Sequence, residues 1–327
     1  MKYRKFNEVE IAEVGLGTWQ LGSLDWGVVN EAEALEVLQA YIDHGGNFID
    51  TADVYGMGLS ETVIGKFLKT VQQPVYVASK LGRRSDNDNG WPQNFTYELM
   101  KTHVNESVAR LGISQLFLEQ LHCIPDKELS SGKVFDHLRR LQGDGLIRYW
   151  GASVETVEEA LICLKQDGIA SLQVIFNLFR QDLADELFEI AARKNVAIIV
   201  RVPLASGLLT GKFTEHTVFS SNDHRNYNAN GEKFNVGETF SGIEFSKGVQ
   251  MAHKISALLP DDRMAEWALR WILDHPAVTT VIPGASKVSQ VVKNVEASAL
   301  DPISKETHQS LRLLYNEDIY PLIRGRF

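Results

Sequence analysis

The strongest constraint on the fold of this chain is an alternation of short apolar runs with longer amphipathic runs, repeated along almost its whole length. Short runs rich in β-branched residues predict strands, whereas apolar residues spaced three and four apart predict helices. Runs that are apolar throughout favour parallel strands covered by helices. The eight predicted strands are 13–19, 47–51, 75–80, 116–122, 147–153, 172–176, 196–202 and 278–283.

Each predicted strand except the seventh is followed promptly by a predicted helix. Eight such units in 327 residues predict one domain, residues 1–327, of the α/β class with the architecture of a (β/α)8 TIM barrel. The alternative is a doubly wound open sheet, which usually carries a G-x-G-x-x-G fingerprint after its first strand. The first strand here ends in GLGTW, which lacks that spacing and is followed by no immediate helix.

Two segments lie outside this repeat. The opening residues, MKYRKFNEVEIAEV, predict an N-terminal β-hairpin that turns at Asn7-Glu8. Segment 205–246 is polar, rich in Gly and Asn and poorly periodic, and its length predicts a functional loop after strand 7. At the helix starts, Ser60 is predicted to cap a helix that begins at residue 61. Thr96 is predicted to cap a helix that begins at residue 97.

Composition excludes several classes of protein. The net charge of −9 argues against a nucleic-acid partner, which usually requires a basic face. No apolar window is long enough to span a bilayer, and the first residues show no secretory signal. Two cysteines, Cys123 and Cys163, provide neither a disulfide framework nor a metal site. These features predict a cytoplasmic protein that binds no metal, no nucleic acid and no membrane.

Four titratable residues lie at the ends of three consecutive predicted strands. Asp50 ends the second strand, Tyr55 follows it in the loop, Lys80 ends the third and His122 ends the fourth. Each alone has an ordinary structural explanation, such as a turn cap, a solvated charge or a packed core histidine. Because a barrel brings the carboxyl ends of its strands to one face, the four side chains are expected to converge there.

These four residue types together suit proton transfer to or from a carbonyl or alcohol. A tyrosine is a poor acid at neutral pH, with a reference pKa of about 10, and a nearby lysine stabilises its phenolate. A buried lysine in turn needs a carboxylate partner, and a histidine can orient a substrate carbonyl. Such a site supports carbonyl reduction or alcohol oxidation, but it needs an external source of hydride.

The sequence is similar to the aldo-keto reductase superfamily. The resemblance runs from about residue 13 to about residue 298 and is closest to the bacterial branch of general oxidoreductases. The matching segments, in the family's order, are VGLGTWQLG, FIDTADVYGMGLSETVIGKFL, VYVASK, LEQLH, IRYWGAS, LQVIFNLFRQD, VRVPLASGLLTGKF and VIPGASKVSQVVKN. The resemblance implies an NADP cofactor, with NAD as the alternative, and a small carbonyl or alcohol substrate.

The resemblance also implies roles for individual residues. Asp50, Tyr55, Lys80 and His122 match the family's catalytic tetrad, with Tyr55 as the general acid. Other positions match contacts with the nicotinamide, its carboxamide, the pyrophosphate and the adenosine. These implied cofactor-binding residues are Thr18, Trp19, Ser153, Gln173, Arg201, Pro203, Leu204, Ser206, Gly207, Leu208, Pro283, Gly284, Lys287, Gln290 and Asn294.

Three departures from the family pattern concern the cofactor. Val154 replaces an asparagine that often follows the carboxamide serine, and Arg201 replaces an aromatic ring that commonly stacks on the nicotinamide. A guanidinium can also stack flat on a ring, although its charge would disfavour the oxidised form. The arginine that often binds the adenosine 2′-phosphate is absent, which leaves Lys287 as the best-placed cation, with Lys293 further along. The missing arginine weakens the preference for NADP.

Two other functions stay open at this point. The weak phosphate site suits an NAD-dependent sugar or polyol dehydrogenase of the same family. The superfamily also includes cofactor-loaded accessory subunits, so a regulatory or binding role is the third hypothesis. Trp19, Trp26 and Trp91 are candidate pocket residues, and Arg324 or Phe327 is predicted to reach the site from the C-terminal segment. No motif identifies the substrate, the direction of reaction or the oligomeric state.

Overall fold

The computed structural model describes residues 1–22, 30–84 and 95–326. Eight parallel strands form the central sheet, each hydrogen-bonded to the next along the chain. Parallel bridges from Val14 to Val281 and from Gly17 to Gly284 join the first strand to the last, which closes the barrel. The strands are β3 (Leu16–Gly17), β4 (Phe48–Asp50), β5 (Tyr76–Leu81), β6 (Leu116–His122), β7 (Ile147–Ser153), β8 (Ser171–Ile175), β9 (Ala197–Arg201) and β10 (Val278–Val281). The predicted (β/α)8 barrel is confirmed.

The predicted N-terminal hairpin is also confirmed. Strands β1 (Tyr3–Phe6) and β2 (Val9–Ala12) pair antiparallel and turn at residues 7–8. Phe6 is fully buried and packs against the ring of Phe117 at 5.3 Å. Arg4 donates a hydrogen bond of 2.6 Å to the carbonyl of Val278, at the start of β10. The hairpin therefore covers the N-terminal ends of the barrel strands and leaves the opposite face open for a site.

Helices surround the barrel with one apolar face inward. In the first long helix, Glu31–Asp43, the side chains of Val37, Leu38 and Tyr41 are buried, and Asn30 caps its N-terminus. None of the helices in the described ranges is long and apolar enough to cross a membrane. The helices are α1 (Trp19–Gly22), α2 (Glu31–Asp43), α3 (Leu59–Leu68), α4 (Tyr97–Leu111), α5 (Asp126–Ser131), α6 (Lys133–Gly143), α7 (Val157–Leu164), α8 (Leu183–Glu186), α9 (Phe188–Arg193), α10 (His224–Tyr227), α11 (Phe245–Ser256), α12 (Met264–Leu273), α13 (Val288–Glu296) and α14 (Lys305–Leu314).

The two predicted helix caps have different outcomes. Thr96 caps α4 as expected, because its side chain accepts a hydrogen bond from the amide of Leu99. The prediction for Ser60 was wrong, since α3 already begins at Leu59, after Gly58 in the left-handed conformation. The Ser60 hydroxyl is instead buried and donates to Thr18 Oγ1 at 2.9 Å. It therefore ties the start of α3 to the end of β3.

The segment after β9 covers one side of the open face. It contains only short helical turns and α10, and its His224 lies 5.0 Å from the ring of Trp19. The C-terminal tail holds this segment, because Arg324 donates to the carbonyl of Gly242 at 2.9 Å and to Asn230 Oδ1 at 3.0 Å. The long loop after strand 7 is thus tied to the tail at its outer edge.

Candidate active site

The open ends of β4, β5 and β6 bring the four predicted catalytic side chains together. Lys80 Nζ lies 2.5 Å from Asp50 Oδ1, and it lies 3.4 Å from the hydroxyl oxygen of Tyr55. The rings of Tyr55 and His122 are edge-on, with their centroids 6.0 Å apart. The convergence expected from the strand ends is therefore present in the structure.

Lys80 and Asp50 form a buried ion pair. Two amides complete the environment of the carboxylate, since Gln173 and Gln120 donate to Asp50 Oδ2 at 2.7 and 3.3 Å. Lys80 also donates to the carbonyl of Thr51 at 2.8 Å. Burial alone would lower the pKa of Lys80, but the charge of Asp50 and the contact with Tyr55 outweigh it, so the pKa is raised. The lysine is therefore an ammonium at neutral pH.

A tight turn places Tyr55 beside this pair. Gly56 has φ +59°, and a Cβ at this position would collide with the carbonyl oxygen of Gly22, so only glycine fits without displacing the turn. Burial raises the pKa of the Tyr55 hydroxyl, while the charge of Lys80 opposes that shift. The neighbouring lysine, which the sequence predicts to stabilise the phenolate, would by itself lower this pKa. The net direction is upward, so Tyr55 keeps its proton at neutral pH.

His122 is a neutral imidazole at neutral pH. Burial lowers its pKa well below the ordinary value, and the charges of Arg83, Lys80 and Arg201 lower it further. Its Nδ1 has no hydrogen-bond partner within the described ranges of the chain. A neutral imidazole donates one hydrogen bond, which suits the orientation of a carbonyl oxygen beside Tyr55.

A cleft of about 480 Å³ extends from this group across the open face, a volume typical of small-molecule and cofactor sites. It contains both the predicted catalytic end and the predicted adenosine end. The predicted site residues that line it are Asp50, Tyr55, His122, Thr18, Trp19, Gln173, Arg201, Pro203, Leu204, Ser206, Gly207, Pro283, Gly284, Gln290 and Asn294. The sequence pattern therefore selected residues that the fold brings to one continuous cleft.

Four of the predicted residues are not part of the cleft lining. Lys80 lies behind Tyr55, and Ser153 is buried with its Oγ 3.5 Å from Cys123 Sγ. Leu208 is buried as well, and Lys287 is exposed at the start of α13. None of these four is among the residues that line the cleft.

The remaining predictions concern the C-terminal segment, expected to reach the site, and two tryptophans expected to line the pocket. Arg324 contacts the loop after β9 rather than the cleft lining. Trp26, Trp91 and Phe327 lie outside the described residues.

The chemistry of the cleft fits an anionic dinucleotide. Lys212 and Lys293 line it, and neither forms an ion pair within the described part of the chain. Two further cations in the lining, Arg225 and Arg263, pair with neighbouring aspartates. Free ammonium groups suit phosphate oxygens, while the amide-bearing side chains at the α13 end suit an adenine ring.

Sequence reasoning missed several residues of the lining. One is Glu238, which lies in the poorly periodic segment after β9 and is 8% exposed. Other polar or charged residues of the lining that were missed are Gln20, Thr210, Lys212, Arg225, Asp262, Arg263 and Glu266. Lys293, which the sequence gives only as a second cation behind Lys287, does line the cleft, one turn of α13 after Gln290. No comparable signal marks Glu238.

Glu238 belongs to a buried group of charged side chains next to His122. Its Oε1 lies 3.5 Å from Arg201 Nη1 and 3.5 Å from Arg83 Nη2. Glu155 Oε1 lies 2.9 Å from Arg83, and Arg201 lies 3.5 Å from Cys123 Sγ. Ligand atoms of Cys123, Glu155 and Glu238 are all within 4.8 Å of one another. Because the two guanidinium groups already contact these atoms, the group is better described as an ion-pair network than as a metal site.

A closed barrel that brings four titratable side chains and a cation-lined cleft to its open face has the architecture of an oxidoreductase. The profile of the aldo/keto reductase family matches residues 13–316, so the chain belongs to that family. The uncharacterized oxidoreductase YqkF of Bacillus subtilis is 29% identical over 99% of this chain and 100% of its own length. The aldo-keto reductase YhdN of Bacillus subtilis is 28% identical over 86% of this chain and 84% of its own.

Solved structures agree with this assignment. The glycerol dehydrogenase AKR11B4 from Gluconobacter oxydans superposes with a TM-score of 0.80 at 26% identity, covering 99% of this chain and 98% of the other. The holo form of the aldo-keto reductase AKR11C1 from Bacillus halodurans gives a TM-score of 0.77 at 27% identity, covering 96% of each chain.

Proposed function

We propose that this protein reduces aldehydes or ketones to alcohols with NADPH, and that Tyr55 is the general acid. One observation carries the proposal: the Lys80 ammonium, held by Asp50 at 2.5 Å, lies 3.4 Å from the Tyr55 hydroxyl oxygen. A proton donor is thereby placed at the mouth of the barrel, next to a cation that stabilises the phenolate left after proton transfer.

The side chains divide the work of the reaction. The Tyr55 hydroxyl donates its proton to the carbonyl oxygen, and neutral His122 donates a hydrogen bond that orients the same oxygen. When bound, the reduced cofactor supplies the hydride that the carbonyl carbon receives. Lys80 stabilises the phenolate until Tyr55 takes up a proton again, and Asp50 keeps Lys80 charged. In alcohol oxidation the Tyr55 phenolate accepts the proton instead.

NAD-dependent oxidation of a sugar or polyol is the second candidate function. The candidate positions for the family's phosphate-binding arginine are Ser286 and Gln290, and neither side chain is charged. Ser286 Oγ lies 3.2 Å from Gln290 Oε1. The structural similarity to a glycerol dehydrogenase also supports this alternative. Against it, Lys212 and Lys293 supply cations elsewhere in the cleft lining.

One experiment separates the two candidates. The purified protein is titrated with NADPH and with NADH at one fixed salt concentration, following nicotinamide fluorescence. Turnover is then assayed on simple aldehydes and ketones with NADPH, and on polyols with NAD. Tighter NADPH binding together with carbonyl turnover supports the reductase. Equal or tighter NADH binding with polyol turnover supports the dehydrogenase, and binding of neither cofactor overturns both proposals.

The proposal also covers the class of substrate and the cellular compartment. The substrate is a small carbonyl compound or alcohol, and the protein acts in a reducing cytoplasm. Both cysteines, Cys123 and Cys163, are free and buried, which is compatible with that compartment.

A further inference from the structure

A buried carboxylate from the loop after β9 contacts the arginine that stands where the family commonly has an aromatic ring. Glu238 Oε1 lies 3.5 Å from Arg201 Nη1, and both side chains line the cleft beside Tyr55 and His122. Arg201 is fixed from the other side as well, since its Nη2 donates to the carbonyl of Val154 at 3.2 Å. The guanidinium therefore has one defined position at this end of the cleft.

The net charge of the buried ion-pair network around Arg201 depends on Glu238. Two guanidinium groups, Arg201 and Arg83, face two carboxyl groups, Glu238 and Glu155. Burial alone would raise the pKa of Glu238, but Arg201 and Arg83 outweigh it, so the pKa is lowered. Burial and the charge of Glu238 raise the pKa of Glu155. Glu238 is thus the more strongly acidic carboxyl group, and it is the one that contacts Arg201.

A positive charge here matters because a nicotinamide ring is neutral when reduced and positive when oxidised. An uncompensated Arg201 would repel the oxidised form and favour the reduced one, by an interaction that is strong in a water-poor cleft. Contact with a carboxylate at 3.5 Å removes most of that repulsion. Arg201 can then hold a ring by flat contact without strongly discriminating between the two redox forms.

We propose that Glu238 neutralises Arg201 at the catalytic end of the cleft and thereby sets the relative affinity of the protein for oxidised and reduced cofactor. This inference rests on the proposed function, because it requires the nicotinamide to bind beside Tyr55 and His122. It makes Glu238 a specificity-determining residue contributed by a loop without a recognisable sequence motif.

The test is the ratio of two dissociation constants, Kd(NADP⁺) to Kd(NADPH), measured by calorimetry or fluorescence without substrate. In Glu238→Gln the site gains one net positive charge at nearly constant shape, so the ratio is expected to rise on the order of tenfold. Arg201→Gln removes the positive charge and is expected to lower the ratio. The double variant is expected to return the ratio towards the wild-type value.

Ser206→Ala provides a matched control for the position of the loop. Ser206 Oγ donates to the backbone carbonyl of Glu238 at 3.0 Å and carries no charge. Loosening this anchor is expected to weaken both redox forms by a similar factor and to leave the ratio unchanged. Thermal unfolding of each variant confirms that it is folded.

The outcomes separate the inference from the function on which it rests. If Glu238→Gln weakens both forms equally, as Ser206→Ala is expected to do, Glu238 is only a loop anchor and the inference is overturned. If folded wild-type protein binds neither form, the proposed function itself fails. Tight wild-type binding with an unchanged ratio in Glu238→Gln overturns the inference alone.

Discussion

The ammonium of Lys80 lies 2.5 Å from Asp50 Oδ1, and neither side chain is more than 3% exposed. Removing one member of a buried ion pair leaves the other charge uncompensated, which costs about 3–5 kcal/mol in comparable cases. Lys80→Met is therefore expected to lower the free energy of unfolding by about that amount and to abolish turnover. Chemical denaturation monitored by circular dichroism measures the first effect.

A double variant tests whether that loss comes from the unpaired carboxylate. Asp50→Asn combined with Lys80→Met removes both charges and is expected to be more stable than Lys80→Met alone. Asp50→Asn is measured alone as well. If the double variant is destabilised by the sum of the losses in Asp50→Asn and Lys80→Met, the two side chains are not coupled.

Asp53 should make the stability of the protein decrease as pH rises. It is 1% exposed, and its ion-pair partner within the described ranges is His103, whose Nδ1 lies 3.8 Å from Asp53 Oδ2. Burial, together with the charge of Glu61, raises the pKa of Asp53 to about 7. Since the folded state holds this proton more tightly than the unfolded state, stability falls from about pH 4 upwards and levels off above about pH 7.

Asp53→Asn is expected to remove that dependence and to stabilise the protein at pH 8 by roughly 2–4 kcal/mol, with little effect at pH 4. Unfolding free energies measured at several pH values provide the comparison, with the exposed Asp301→Asn as the control. A gain of the same size at pH 4 and at pH 8 would contradict the assignment of the titration to Asp53.

The two lysines near α13 should differ in their effect on the cofactor. Lys293 lines the cleft, whereas Lys287 does not. Lys293→Met is expected to weaken NADPH binding roughly fivefold to tenfold and to leave NADH binding within about twofold, because only NADPH carries the extra phosphate. Lys287→Met is the matched control and is expected to change neither. A larger effect at Lys287 would favour the sequence-based assignment of Lys287 as the phosphate-binding cation.

The turn that presents Tyr55 should not tolerate a side chain at Gly56. A Cβ there would collide with the carbonyl oxygen of Gly22, so Gly56→Ala is expected to displace Tyr55 and reduce kcat by at least tenfold. Gly132→Ala is the control, since Gly132 also has a positive φ, of 76°, but a Cβ there meets nothing within 4 Å. Equal loss of activity in both variants would attribute the effect to backbone strain rather than to the collision.

The sequence predicted the barrel and the tetrad because both depend on regular patterns. Strand and helix periodicities are local. Asp50 and His122 are the last residues of β4 and β6, and Lys80 is the second-last residue of β5. The parallel barrel then brings these ends together without further information. The placement of Ser60 inside α3 was missed because its hydroxyl bonds to Thr18, a tertiary contact that no local pattern contains.

The charged surroundings of the site were not predictable in the same way. Glu238 reaches Arg201 from the far end of the aperiodic segment 202–237, and only the path of the loop after β9 determines that contact. Asp53 lies within the recognisable DTADVYG element, but its burial beside Glu61 depends on the packing of α3 against the barrel. Residue identity indicated the catalytic groups, whereas their protonation depends on this packing.

The most direct test of the account is the rate of hydride transfer in Tyr55→Phe, measured in a single turnover with bound NADPH and a reactive aldehyde. The variant lacks only the hydroxyl, so it is expected to bind NADPH within a few-fold of wild type and to lose about 10²–10⁴-fold in rate. A rate within tenfold of wild type would contradict the role of Tyr55 as the proton donor. Loss of NADPH binding in a folded variant would contradict the placement of Tyr55 as a residue that acts on the substrate.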